Sequence, residues 1–174
     1  EEGAAAALFP PVDDGTLLEE MPGLAEACRR FPMPDGTQAE RALRELSWGE
    51  HFVAGRMVPS KGGSDLYLYS LKSAAVFLLD RDQANIGKAS DQIIKLIDVD
   101  AFIAWVRGTV GDEALADALA ADCPAEDPYH DRLEGVQRLL ALRMVQYGAA
   151  ERAGGSAGGG EDAGAAPGEG AAPL

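Results

Sequence analysis

The segments that favour β-strands lie in the middle of the chain, and helical patterns lie on both sides of them. HFVAGRMV at 51–58 predicts a strand, and QIIKLI at 92–97 predicts a further short one. An order of helices, then strands, then helices is typical of an antiparallel sheet with segregated helices. The sequence therefore predicts an α+β fold, with a small antiparallel sheet of three or four strands within about residues 51–97, packed by N-terminal and C-terminal helices.

The most apolar stretch, residues 66–79, fits two structures. One helix capped by Ser64 could run through it, because Ala74 and Ala75 tolerate a helix well. Strands are favoured instead by its aromatic and β-branched residues, Tyr67, Tyr69, Val76 and Phe77. We predict two strands with a bend at 70–73, and keep the single helix as the alternative.

Capping signals place helices on both sides of the sheet. On the N-terminal side, Pro22 predicts a helix near 22–31, and Thr37 with Glu40 forms a capping box that opens a helix near 38–47. On the C-terminal side the signals lie in three segments: Asp98 before an apolar stripe through residue 106, DEALADALAAD at 112–122, and Asp127-Pro128 before a helix that ends at about Tyr147.

The chain of 174 residues suits one domain. Residues 1–12 predict a flexible arm and residues 13–148 a single globular α+β domain. From 149 to 174 the chain is rich in Gly and Ala, and no large apolar residue precedes Leu174. Such a segment buries too little surface to offset its conformational entropy, so the sequence predicts a disordered acidic tail.

Charge excludes several classes of partner. The net charge is −14, with −7 in residues 1–40, +1 in 41–107 and −8 in 108–174. Nucleic acid and anionic membranes are disfavoured because both bind basic surfaces. The Glu-Glu start predicts no signal peptide, and 66–79 is too short and too interrupted to span a bilayer. We expect a soluble cytoplasmic protein.

Metal and cofactor signals are weak throughout the sequence. Cys28 and Cys123 lie in no recognised motif, and neither they nor His51 and His130 have the short ligand spacing of a zinc site. The segment DRDQANIGKASD at 80–91 is acidic but lacks the EF-hand positions. We predict no metal, no cofactor and no catalytic residue.

One stretch could bind an anion. Lys61, Gly62, Gly63 and Ser64 combine a cation with flexible backbone, and Arg56 and Lys72 are near them in sequence. In a phosphate-binding loop the lysine follows the glycines, whereas here it precedes them. Gly62-Gly63-Ser64-Asp65 fits a hairpin turn as well. The sequence favours a turn, with a site for a phosphorylated small molecule as the alternative.

Large amphipathic side chains point to protein binding. Trp48, Tyr67 and Tyr69 are of the kind that anchor interfaces. If no helix covers the tyrosines, their face predicts a site for a protein partner or a homo-oligomer. The sequence thus favours a non-enzymatic protein-binding or self-assembling module, and the alternative is an enzyme or binding protein for a phosphorylated small molecule.

Overall fold

A computed structural model describes residues 23–59, 61–79 and 93–156. This part of the chain forms six α-helices and a three-stranded antiparallel sheet, which confirms the predicted α+β fold. In chain order the elements are α1 (Leu24–Arg30), α2 (Gly36–Leu43), a 3-10 turn (Trp48–Glu50), β1 (Phe52–Val58), β2 (Gly62–Leu68), α3 (Leu71–Leu79), β3 (Ile94–Leu96), α4 (Val99–Trp105), a π-helical turn (Val106–Val110), α5 (Glu113–Asp122) and α6 (Tyr129–Ser156).

The three strands lie in the order β2-β1-β3, and both neighbouring pairs are antiparallel. Phe52 pairs with Leu68 at one end of the hairpin, and Val58 pairs with Gly62 at the other. Because side chains alternate along a strand, Phe52, Ala54 and Leu68 share one face of the sheet. All three are buried, so this inner face is the one that the helices cover.

The helices pack around α6, which contacts each of the other five. One face of α6 supplies much of the core, since Val136, Leu140, Met144 and Tyr147 are all buried. The sheet joins this core through Phe52. The Phe52 ring centroid lies 5.4 Å from that of Phe102 and 5.5 Å from that of Trp105.

The structure corrects the prediction of two strands in residues 66–79. The first part of this stretch completes β2, and the second part is the helix α3. The Ser70 hydroxyl caps this helix by accepting a hydrogen bond from the Ser73 N–H at 3.0 Å. The buried residues Leu71, Ala74, Ala75 and Leu78 recur at i, i+3, i+4 and i+7 and pack in the helical core. Burial of this face outweighs the strand preference of its other residues.

Two predicted helix boundaries were also wrong. The capping box of α2 is formed by Asp35 and Gln38, and not by Thr37 and Glu40: the Asp35 carboxylate accepts from the Gln38 N–H at 2.7 Å. In addition, α6 continues to Ser156, beyond its predicted end at about Tyr147. Ala149 is buried beside Leu24 of α1, which explains why the helix persists there.

Several predicted features fall outside the described residues. These are the flexible arm at 1–12, the acidic segment at 80–91 and the part of the tail from 157 onward. Within the described ranges, no helix has both the length and the apolar character needed to cross a membrane.

Candidate interaction surface

The sheet has an apolar face that no described part of the chain covers. We call it the outer face, and its large side chains retain between 37% and 50% of their exposure: Val53, Met57, Tyr67, Ile94 and Leu96. They lie at alternate positions from the buried inner-face residues, in the register that pairs Val53 with Tyr67 and Met57 with Ile94. A sheet face of this composition is normally covered by a second layer of structure.

Trp48 extends the outer face at one end and is 78% exposed. The turn that carries it is held by a capping box, in which the Glu50 carboxylate accepts from the Ser47 N–H at 3.0 Å and from the Ser47 hydroxyl at 2.7 Å. These hydrogen bonds, first that of the hydroxyl and then that of the backbone, lower the pKa of Glu50. Behind the turn, Trp105 Nε1 donates to the Glu50 carbonyl at 2.8 Å. The turn that carries the exposed indole of Trp48 is therefore held in place by hydrogen bonds.

His51 joins Trp48 to the strands. Its ring centroid lies 5.7 Å from that of Trp48, 5.0 Å from Tyr67 and 5.6 Å from Tyr69. Its Nδ1 donates to the Trp48 carbonyl, which fixes the orientation of the imidazole. The turn and the outer face thus form one continuous surface, in which Tyr69 is half-buried and Trp48 and Tyr67 are open.

The surface is large for a chain of this size. Trp48 and the five outer-face side chains together expose roughly 600 Å², the upper end of what the largest apolar patch of a monomer usually reaches. Charge is nearly absent from it, because Asp65 is the one acidic or basic residue at an outer-face position of the described strands. Its composition fits contact with another protein better than contact with a small polar ligand.

The predicted anion site is placed at the hairpin. The chain reverses between Val58 and Gly62, and the Lys61 N–H donates to the Val58 carbonyl at 2.9 Å. Gly62 leaves the turn with φ of +87°, a conformation that favours glycine. A hairpin turn is therefore present as predicted, but it lies slightly earlier than Gly62–Asp65, because Gly63 and Ser64 already belong to β2.

The cations of that prediction are not brought together. Arg56 lies at an inner-face position opposite Ser64 and Lys95. Lys61 lies at the hairpin, whereas Lys72 follows the other end of β2, a strand that spans roughly 20 Å. The Lys72 Nζ pairs with the Glu151 carboxylate of α6 at 3.1 Å. This arrangement offers no common cradle for a phosphate.

A buried polar cluster in the helical layer was missed by the sequence analysis. Arg143 of α6 holds the Asp112 carboxylate with two hydrogen bonds, Nε–Oδ2 at 2.8 Å and Nη2–Oδ1 at 3.0 Å. Its Nη1 donates to the Pro32 carbonyl at 2.9 Å and to Gln146 Oε1 at 2.8 Å. The Tyr147 hydroxyl also donates to Asp112. We call these residues, with Pro32 contributing only its carbonyl, the Arg143 cluster.

The electrostatics of the Arg143 cluster are those of a closed structural network. Burial would lower the pKa of Arg143, but hydrogen bonding and attraction to Asp112 raise it overall. Burial and the Asp112 carboxylate both raise the pKa of Tyr147. No buried side-chain nitrogen or oxygen in the described ranges lacks a hydrogen-bond partner. The cluster therefore has no group left over for a ligand, although a cavity of about 560 Å³ borders it.

The remaining candidates from the sequence are dispersed. His130 and Glu134 form an exposed pair on α6 at 3.2 Å. Cys28 is exposed, and Cys123 is buried, which raises the pKa of its thiol. Among the described residues, no three His, Cys, Asp or Glu side chains are placed to share a metal ion.

Comparisons with protein-family models, with curated proteins and with solved structures give no match to this chain.

Proposed function

We propose that this chain is a non-enzymatic binding module and that its outer face, together with Trp48, is the surface on which another protein chain binds. The observation that carries the proposal is the open, nearly uncharged face of the sheet. On the inner face Phe52, Ala54 and Leu68 are buried, whereas the outer face presents large apolar side chains to water.

The energetics favour an occupied surface. Removing roughly 600 Å² of apolar surface from water is worth about 15 kcal/mol at 25 cal/mol per Å². Association costs about 4–15 kcal/mol in lost freedom, so a well-packed partner can offset that cost on this face. Trp48 and Tyr67 are of the residue types that dominate such contacts.

The test is a photo-crosslink from the middle of the surface. A benzophenone amino acid replaces Tyr67, and in a matched control it replaces Val76, which is 37% exposed but lies on α3 in the helical layer. After irradiation in extract of cells that produce the chain, we expect a discrete protein adduct from position 67 and none from position 76. Equal yields at both positions, or none at either, would refute the proposal.

A further inference from the structure

We infer that the partner binds through an extended, basic segment that adds to the sheet as a further strand along the free edge of β2. The inference rests on the proposed function and names the chemistry and the binding mode of the partner. In that segment a lysine or arginine lies opposite Asp65, and large apolar side chains lie two positions away on either side.

β2 is an edge strand that nothing in its own sequence blocks. The sheet order is β2-β1-β3, and β2 pairs with β1 without interruption from Gly62 to Leu68. Its sequence GGSDLYL has no proline or lysine, the residues that commonly prevent an edge strand from pairing further. The opposite edge strand, β3, has only three residues. Of the two edges, β2 therefore offers the longer row of backbone groups to another strand.

A hydrogen bond at the end of β2 shows which backbone groups face away from β1. The Tyr69 carbonyl accepts from the Leu46 N–H at 2.7 Å, and Leu46 lies outside the sheet, between α2 and the 3-10 turn. Along a strand of an antiparallel sheet, successive residues direct their N–H and C=O groups to opposite sides. The groups of Gly63, Asp65 and Tyr67 therefore face outward as those of Tyr69 do. These three residues are exposed, and none of the described chain outside the sheet forms a backbone hydrogen bond with them.

Asp65 determines the charge of the partner. It lies in the middle of the free edge, and its carboxylate has no ion-pair or hydrogen-bond partner among the residues that the structure describes. Directly opposite residues of neighbouring strands attract each other when their charges are opposite and repel when they are alike. A lysine or arginine is therefore favoured opposite Asp65. A second copy of β2 is disfavoured, because antiparallel pairing of the same three outward positions would place Asp65 opposite Asp65.

The neighbours of Asp65 determine the apolar positions. Tyr67 is 50% exposed, so an aromatic or β-branched residue opposite it would extend the outer face by one strand. Gly63 has no side chain and pairs on its other side with Met57, which is 38% exposed. A long apolar side chain opposite Gly63 can therefore reach over the glycine toward Met57. The segment that fits this edge thus alternates apolar, basic and apolar residues on one face.

The probe is a synthetic peptide with blocked termini and the sequence Thr-Val-Thr-Lys-Thr-Leu-Thr. It is titrated into the isotope-labelled full chain, and amide hydrogen exchange is followed by NMR. We expect saturable binding that slows exchange at Gly63, Asp65 and Tyr67, whereas Ser64 and Leu66 stay unchanged because their amides already face β1. Absence of binding, or binding without this alternating protection, would overturn the strand addition.

Two N-methylated forms of the peptide are a matched pair that leaves the protein unaltered. A methyl group on the Lys backbone nitrogen removes a hydrogen bond to β2 and should weaken binding at least about tenfold. The same group on the preceding Thr nitrogen, which faces away from β2, should change the affinity by less than about twofold. Equal losses for the two peptides would contradict the backbone pairing.

A charge reversal tests the contact with Asp65. Asp65→Lys should weaken binding of the Lys peptide at least about fivefold, and it should bind a peptide with Glu in place of Lys more tightly than the Lys peptide. Asp131→Lys is the matched control, since it makes the same change of charge at an exposed position on α6 and should keep the preference for Lys. An Asp65→Lys chain that still prefers the Lys peptide would overturn the basic partner.

The crosslink from position 67 separates this inference from the proposed function. A protein adduct at that position, together with a β2 edge that the peptide does not protect, leaves the proposed function standing and overturns the strand addition. Absence of any adduct overturns both, because the inference rests on the proposed function.

Discussion

The Arg143 cluster and the outer face invert the usual distribution of polar and apolar groups. The cluster buries a charged pair, with side-chain exposures of 5% for Arg143 and 1% for Asp112. The outer face leaves Tyr67 50% exposed, and Trp48 beside it is 78% exposed. The polar groups inside are satisfied by the chain itself, and the apolar groups outside are covered by none of the described chain.

This contrast separates structure from function. A buried ion pair resembles catalytic machinery, but the hydrogen bonds of this one to Asp112 and to the Pro32 carbonyl join α6 to the start of α5 and to the segment after α1. The outer face has almost no charged side chains, yet among the described residues it is the region that exposes a continuous set of large apolar side chains. Substitutions should therefore affect folding at the first region and association at the second.

The largest effect is expected for Arg143→Ala. This change leaves the buried Asp112 carboxylate without its counter-ion, which costs about 3–5 kcal/mol of unfolding free energy. Arg138→Ala is the control, since Arg138 is 60% exposed and pairs with Asp122 at 3.3 Å, and it should cost at most about 1 kcal/mol. Urea unfolding followed by circular dichroism measures both. Similar losses for the two variants would show that the cluster is not a structural requirement.

The same added methyl group should act differently in the two regions. Gly111, which precedes Asp112, has φ of +83°, and a Cβ there would lie 2.9 Å from Arg41 Nε. Gly111→Ala should cost about 1–3 kcal/mol of unfolding free energy. Gly63→Ala on the outer face meets only an ordinary contact, so its effect should stay within about 0.5 kcal/mol. A comparable cost at both positions, measured by urea unfolding at low protein concentration, would contradict the contrast.

Local patterns were enough to predict much of the fold. β1, β3 and the helices after Asp98 follow from periodicity and caps that act over a few residues; the Asp98 carboxylate accepts from the Ala101 N–H at 3.0 Å as its position predicts. The helix α3 was missed although its buried positions have helical spacing, because the residues between them favour strands. The structure of this stretch is determined by packing against α6, which is distant in sequence.

The functional surface was predictable only in part. Trp48 and Tyr67 were chosen by residue type, but Met57 and Leu96 were not, because FVAGRMV is apolar on both faces and no alternation shows which face the helices cover. The pairing of Arg143 with Asp112 spans 31 residues, and no local pattern connects them. Both regions depend on long-range packing.

Alkaline pH should weaken the contribution of the Arg143 cluster to the unfolding free energy. Because the pKa of Tyr147 is raised in the folded state above its ordinary value of 10.0, the unfolded chain loses this proton first as pH rises. The folded state then binds more protons, so unfolding free energy falls above pH 10 by up to about 1.4 kcal/mol per pH unit from this group. Tyr147→Phe should remove that component of the slope in urea unfolding at pH 9 to 11. An unchanged slope in Tyr147→Phe would contradict the assignment to this hydroxyl.

The smallest effect on folding is expected at the centre of the outer face. Tyr67→Ser should change the unfolding free energy of the monomer by no more than about 0.5 kcal/mol, because the side chain is already half in water. Leu68→Ala, one position along the same strand, removes a side chain that is 3% exposed and should cost about 2–5 kcal/mol. Urea unfolding at low protein concentration compares them directly. If Tyr67→Ser costs as much as Leu68→Ala, then Tyr67 is held by contacts within its own chain and the outer face is not free to bind. A small cost combined with lost association would show that the Tyr67 side chain contacts the partner.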